Sequence, residues 1–239
     1  MTIFMGIQTD DFSFGAIDTK TTLRSDTGEK TGEIQYERKI FGLEEYRMSF
    51  ATAGLVLETE FEIRTGYYVK EKIDSGGKKK SYSDVINEIS DLYKQAYEDQ
   101  GTYEHESYLM IFGSNPNTLK PFLYKCSSPN FEPEAIKQNE LFFIGAYSDQ
   151  YKAKATEIFN ELMLECSSDG YDFNLMEWAT KTFDAMSHND AVGYPYILHL
   201  YKPYLALFTD DRAQYTGDTI SKGEYRIRTD FDVELTHIK

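Results

Sequence analysis

The sequence predicts an α+β fold of four layers, with helices outside and two β-sheets within (αββα). Three observations point there. The chain opens on a β-hairpin of short apolar runs. Helical periodicity then comes in two consecutive pairs, each flanked by strand-like segments. The order is therefore strands, two helices, strands, two helices, strands. Each helix pair needs an apolar sheet face to cover, and two sheets packed together offer two outer faces.

Residues 2–8 make the first strand, because Ile3, Phe4, Met5 and Ile7 form an apolar run with almost no polar content. Thr9-Asp10-Asp11 turns the chain into a second strand over residues 12–18. Asp18 ends that strand, and residues 24–33, rich in Gly, Asp, Thr and Lys, read as an exposed loop. Two more strands are expected in 34–43 and 46–51. The pattern then changes at Thr52-Ala53-Gly54 to a helix over about 54–72, closed by Ser75-Gly76-Gly77. Ser83 precedes a second helix over about 83–99, with Val85, Ile86, Ile89, Leu92, Tyr93 and Ala96 at helical spacing.

Strands follow at 108–113, 121–126 and 141–146, the last ending in small residues. A third helix is expected at about 148–165, with Tyr151, Ala155, Ile158, Phe159, Leu162 and Met163 as its apolar positions. A fourth spans about 174–187, with Leu175, Trp178, Ala179, Phe183 and Met186 on one face. Strands at 196–201 and 204–208 come last. The division expected is one domain over 1–209 and an extension over 210–239, a strand packed on the domain or on a neighbouring subunit.

Composition narrows the function. The 239 residues suffice for a large core, and a hydrophobic fraction of 41% excludes a disordered chain. A net charge of −15 argues against nucleic acid or an anionic membrane as partner, because phosphate contacts need clustered Lys and Arg. The short run Lys78-Lys79-Lys80 reads as a solvated loop. Cys126 and Cys166 lack metal-site spacing and fit reduced, spectator thiols of a cytoplasmic protein. His188 and His199 have no ligand partner at metal spacing. Neither a metal nor a cofactor is expected. No stretch has the length of a membrane-spanning helix, and no secretory leader is read at the start.

The first residues carry the chemistry. Methionine before a small residue is commonly trimmed, and removal of Met1 would leave Thr2 with a free amine. One residue would then hold a hydroxyl nucleophile and an α-amino base of reference pKa about 8. Retention of Met1 would block the site. Thr2 is otherwise a plain strand-start residue, Asp18 a turn cap, Lys39 a solvated strand lysine and Gly54 a turn glycine.

The order of these residues resembles that of the N-terminal nucleophile hydrolases, and among them the proteasome β-subunits and HslV-type peptidases. The likeness spans about residues 2–200. Thr2 to Asp18 has the family's spacing of nucleophile and aspartate. Arg38-Lys39-Ile40-Phe41 is similar to its Lys-Lys-Ile-Tyr segment, and Met48-Ser49-Phe50-Ala51-Thr52-Ala53-Gly54 to its strand ending in Thr-Ala-Gly. Ile144-Gly145-Ala146-Tyr147 stands at the Gly-Ser-Gly loop, with Ala146 in place of the serine. Asn189 and Val192 fall where the family has an Asp-x-x-Ser pair.

The resemblance implies that Thr2 attacks a peptide carbonyl and that Lys39 lowers the hydroxyl pKa. It implies that Asp18 holds Lys39 and that the Gly54 N–H, at a helix N-terminus, stabilises the oxyanion. Thr22 would lie along the substrate backbone, and Val56 near the first specificity pocket. It also implies a peptide or protein substrate, a homo-oligomeric ring and room for an ATPase partner. The expected function is a threonine-dependent peptidase or amidohydrolase. The alternatives are a non-catalytic structural subunit of a proteasome-like ring and a small-molecule amidase on the same fold.

Overall fold

The computed structural model describes residues 2–24, 30–36, 38–54, 59–76, 80–99, 106–145, 148–169, 173–185, 196–203, 205–209, 224–229 and 233–237. The first half of the chain forms β1 (Ile3–Gln8), β2 (Ser13–Asp18), β3 (Lys20–Arg24), β4 (Lys30–Tyr36), β5 (Ile40–Leu43) and β6 (Met48–Gly54). Two helices follow, α1 (Thr59–Ser75) and α2 (Tyr82–Asp99). Then come β7 (Ser107–Ser114), β8 (Pro121–Ser127), β9 (Glu134–Ala135) and β10 (Phe142–Gly145), and the second helix pair, α3 (Ser148–Asp169) and α4 (Leu175–Ala185). β11 (Tyr196–Lys202), β12 (Leu205–Thr209), β13 (Glu224–Thr229) and β14 (Val233–His237) end the described chain.

These strands form two large antiparallel sheets. One has the order β10-β1-β2-β11-β12-β13-β14, the other β5-β6-β7-β8-β9. Strand alternation assigns each residue to a layer. From β1, β2 and β11, the side chains of Ile3, Met5, Phe14, Ala16, Leu198 and Leu200 meet Tyr151, Ala155, Ile158, Trp178 and Phe183 of α3 and α4. From β5, β6 and β7, Phe41, Phe50, Leu109 and Ile111 meet Val69, Ile73, Val85, Ile89 and Tyr93 of α1 and α2. The intervening residues face the other sheet, where Phe4, Ile17, Ala51, Met110, Phe112, Leu123 and Ile197 form a third cluster. The expected αββα sandwich is the observed one. Each fully buried aliphatic or aromatic side chain contributes about 1.5–3 kcal/mol, so three contiguous clusters supply the bulk of the stability.

The sheets approach closely at Gly15. A Cβ there would stand 2.4 Å from the Phe112 ring. Polar ties cross the same layer. Ser13 Oγ donates to the Gly113 carbonyl at 2.7 Å, and Ser49 Oγ lies 2.6 Å from both His199 Nδ1 and the Tyr201 hydroxyl. His199 is thus a core histidine held between sheets.

Several boundaries differ from the sequence reading. Residues 24–33 are not simply a loop: Arg24 ends β3 and Lys30 begins β4, which pair as a two-stranded ribbon, residues 25–29 lying outside the described set. The ribbon is rich in Thr and Lys, so it lacks the apolar alternation that marks a half-buried strand. The segment read as one strand over 34–43 is two, β4 and β5. The first described helix starts at Thr59, not at Gly54, because Gly54 continues β6 and pairs with Ser107. The cap of α2 is Ser81, whose Oγ accepts from the Asp84 N–H at 3.2 Å, so the helix begins at Tyr82. Residues 186 and 187 of the fourth expected helix lie outside the described residues. Beyond residue 210, β13 pairs with β12 and β14 with β13, extending the seven-stranded sheet.

Burial, with the charges of Arg38 and Lys70, pushes the His199 pKa from 6.5 down to about 3. A neutral buried histidine stabilises fully above the unfolded value and loses that contribution as pH falls from 6.5 toward 3. Urea unfolding of wild type should therefore lose about 1.6 kcal/mol more than His199→Gln between pH 6.5 and pH 5. Equal pH slopes in the two proteins would contradict this.

Candidate active site

β2 is flanked by β1 and β11, and its final residue, Asp18, is fully buried. Lys39 lies immediately before β5 in the other sheet and is held in register by the Thr52 N–H, which donates to its carbonyl at 3.0 Å. Its side chain is fully buried, and Nζ lies 3.2 Å from Asp18 Oδ2 and donates to the Lys20 carbonyl at 2.6 Å. A buried ammonium without partners is strongly unfavourable, so these two acceptors are what allow Lys39 into the core. The other carboxylate oxygen, Oδ1, accepts from the Ile3 backbone N–H at 2.9 Å. Asp18 therefore fixes both Lys39 and the peptide unit that joins Thr2 to Ile3. Burial raises the Asp18 pKa, while the Lys39 charge and the Ile3 N–H pull it back down.

Thr2 is buried, and its Oγ1 has no hydrogen-bond partner among the described residues. β10 closes over it. Ile3 pairs with Gly145, whose φ is +109°, and a Cβ on Gly145 would stand 1.9 Å from the Thr2 carbonyl oxygen. Only glycine fits that backbone geometry and that approach.

Of the residues singled out by sequence, Thr2, Asp18 and Lys39 are thus linked through one carboxylate. Gly54 ends β6, the strand whose Thr52 is bonded to Lys39, and residues 55–58 between it and α1 lie outside the described residues. Thr22 lies in β3 opposite Ile34. Val56, Ala146, His188, Asn189 and Val192 lie outside the described residues. Cys126 is buried, its thiol pushed up to about 12 by burial against an opposing hydrogen bond from Ser90. A thiol so protonated is an inert packing group.

Sequence reasoning missed two groups. One is the Lys20 carbonyl, invisible in any side-chain motif. The other is Tyr151, read only as an apolar position of the third helix. Its side chain is fully buried, and its hydroxyl has no hydrogen-bond partner among the described residues. Burial and the Asp18 charge both push its pKa up. Among the described residues no cluster of three or more His, Cys, Asp or Glu could hold a metal ion, and no helix is long and apolar enough to cross a membrane.

Neither a protein-family model nor a curated protein matches the chain. Solved structures do. Anbu (ancestral beta-subunit) from Yersinia bercovieri superposes with a TM-score of 0.59 at 14% identity, over 84% of this chain and 81% of its own. The Anbu (Gly-1) mutant from Hyphomicrobium sp. strain MC1 gives 0.62 at 14% identity, over 100% of this chain and 87% of its own. A second Anbu structure from that organism gives 0.58 at 14%, over 99% and 87%. The chain has the proteasome-like fold of Anbu. At this identity the likeness is one of fold, and the site is argued from its own geometry.

The ion pair yields a stability test. Lys39→Ala leaves a buried carboxylate without its cation and should cost about 3–5 kcal/mol in urea unfolding. Asp18→Asn with Lys39→Met removes both charges and should recover much of that loss. A single-variant cost under about 1 kcal/mol would contradict the assignment.

Proposed function

We propose that the chain is a threonine-dependent peptidase or amidohydrolase of proteasome β-like type, with Thr2 as its nucleophile after loss of Met1. The observation that carries this reading is the buried Lys39–Asp18 pair bonded to the backbone directly after Thr2. A lysine charge is costly in a core, and here its carboxylate partner also binds the peptide N–H that follows Thr2, a residue whose hydroxyl has no partner among the described residues.

In this reading the Thr2 Oγ1–H proton passes to the α-amine as Oγ1 bonds to the carbonyl carbon of a peptide. The Lys39 charge favours the developing alkoxide in a site of low dielectric. The Gly54 N–H would donate to the oxyanion. The tetrahedral intermediate collapses, the C–N bond breaks, and the leaving amine takes the proton. Water then attacks the Thr2 ester, giving its proton to the α-amine, and the carboxylic acid product departs as Thr2 regains its hydrogen. Thr22 would lie along the substrate backbone and Val56 at the first specificity pocket. The reading extends to residues 1–209 as the catalytic domain, with 210–239 as an extension of it. It places the protein in the cytoplasm, as a ring of identical subunits fed with protein or peptide substrate, with an ATPase as a candidate partner.

Hydrolysis of a fluorogenic peptide amide tests it. Thr2→Ala should lower kcat at least 10³-fold with KM little changed, and Lys39→Met should lower kcat about 10²-fold or more. Equal rates in wild type and Thr2→Ala would overturn the reading.

A further inference from the structure

A tyrosine whose hydroxyl bonds to nothing could be a phenylalanine, and an orphaned buried hydroxyl costs about 1–3 kcal/mol. Among the described residues, Tyr151 is such a residue. Its ring is fixed: it stacks on Phe143 with centroids 6.2 Å apart, and Phe183 lies 6.0 Å away on another side. Tyr151 belongs to the first turn of α3, which follows β10, and β10 pairs with β1 so that Gly145 opposes Ile3. Tyr151 and Ile3 share one core cluster. Asp18, which accepts from the Ile3 N–H, is near enough for its charge to act on the Tyr151 hydroxyl, so that hydroxyl lies toward the Asp18 end of β1. Its neighbour Tyr196, paired with Asp18 across the β2–β11 ladder, shows the contrast: that hydroxyl donates to Asp184 at 2.9 Å. Thr2 and Tyr151 each carry a buried hydroxyl with no hydrogen-bond partner among the described residues. An α-amine on Thr2 would bring up to three N–H donors.

We propose that Tyr151 is a positioning residue whose hydroxyl oxygen accepts a hydrogen bond from the α-amine of Thr2 and so aims the amine's lone pair at the Thr2 hydroxyl. The proposal rests on the reading of Thr2 as an amino-terminal nucleophile and adds to it the group that orients its base. Because Asp18 accepts from the Ile3 N–H, the same end of β1 is held from two sides. An acceptor beside the amine favours its ammonium form.

The test uses the full chain, released from a fusion partner so that Thr2 is its first residue whatever its activity. The amine pKa is read from the pH dependence of acetylation by acetic anhydride, followed by mass spectrometry of the first peptide. Tyr151→Phe should lower that pKa by about one unit, whereas Tyr196→Phe should leave it in place. The acid limb of kcat/KM for peptide hydrolysis should move down with it, and kcat should fall about tenfold. An amine pKa unmoved by Tyr151→Phe would overturn the proposal. An amine that responds to Tyr151→Phe in a wild type that hydrolyses no peptide would uphold it and reject the peptidase reading. With Met1 retained, Tyr151→Phe should melt no lower than wild type. A clear drop would reveal another partner for the hydroxyl and would also overturn the proposal.

Discussion

Much of this structure depends on one buried ion pair. Lys39 and Asp18 come from opposite sheets, and both are withdrawn from water. Their attraction must offset the desolvation of two charges, which it does only because each has further partners. Lys39 bonds to the Lys20 carbonyl, and Asp18 accepts from the Ile3 N–H. The pair therefore sets the spacing of the two sheets at one end and the course of the chain entering β1. Replacement by apolar residues of similar size would suit packing as well. That the chain keeps a lysine there is the observation on which the proposed chemistry rests.

The layers around it explain how such a pair is held. Strand alternation sends every second residue of β1, β2 and β11 to the α3/α4 layer and the others to the sheet interface. The two sheets close on each other because Gly15 leaves room for Phe112. Outside them, α3 and α4 are joined by the Trp178 indole N–H, which donates to the Ala155 carbonyl at 2.7 Å. Close packing on both faces of this sheet is what holds Asp18 and Tyr151 in place beside β1.

The architecture was legible wherever burial imposes a period. The four helices and the apolar strands β1, β2, β7, β8, β10 and β11 show their faces in the sequence, because a sandwich buries one or both sides of each. β3 and the first half of β4 leave no strand signal because Lys20, Thr21, Thr22, Lys30 and Thr31 carry no apolar alternation. Gly54 was read as a helix start because Leu55, Val56 and Leu57 follow it; cross-strand pairing to Ser107 overrides that local signal. In the site, the small residue after Met1 points to Thr2, and the resemblance to the N-terminal nucleophile hydrolases points to Asp18 and Lys39. The Lys20 carbonyl and the Tyr151 hydroxyl were hidden, the first because backbone groups leave no mark in a motif, the second because a tyrosine at helical spacing reads as core.

The central claim is that Thr2 carries a free amine and an activated hydroxyl beside the Lys39–Asp18 pair. Intact mass of the purified protein, before and after treatment with a threonine-reactive epoxyketone or β-lactone, tests it most directly. The account predicts a mass lacking Met1 that gains one adduct, mapped to Thr2. A protein that retains Met1 and gains no adduct would contradict it.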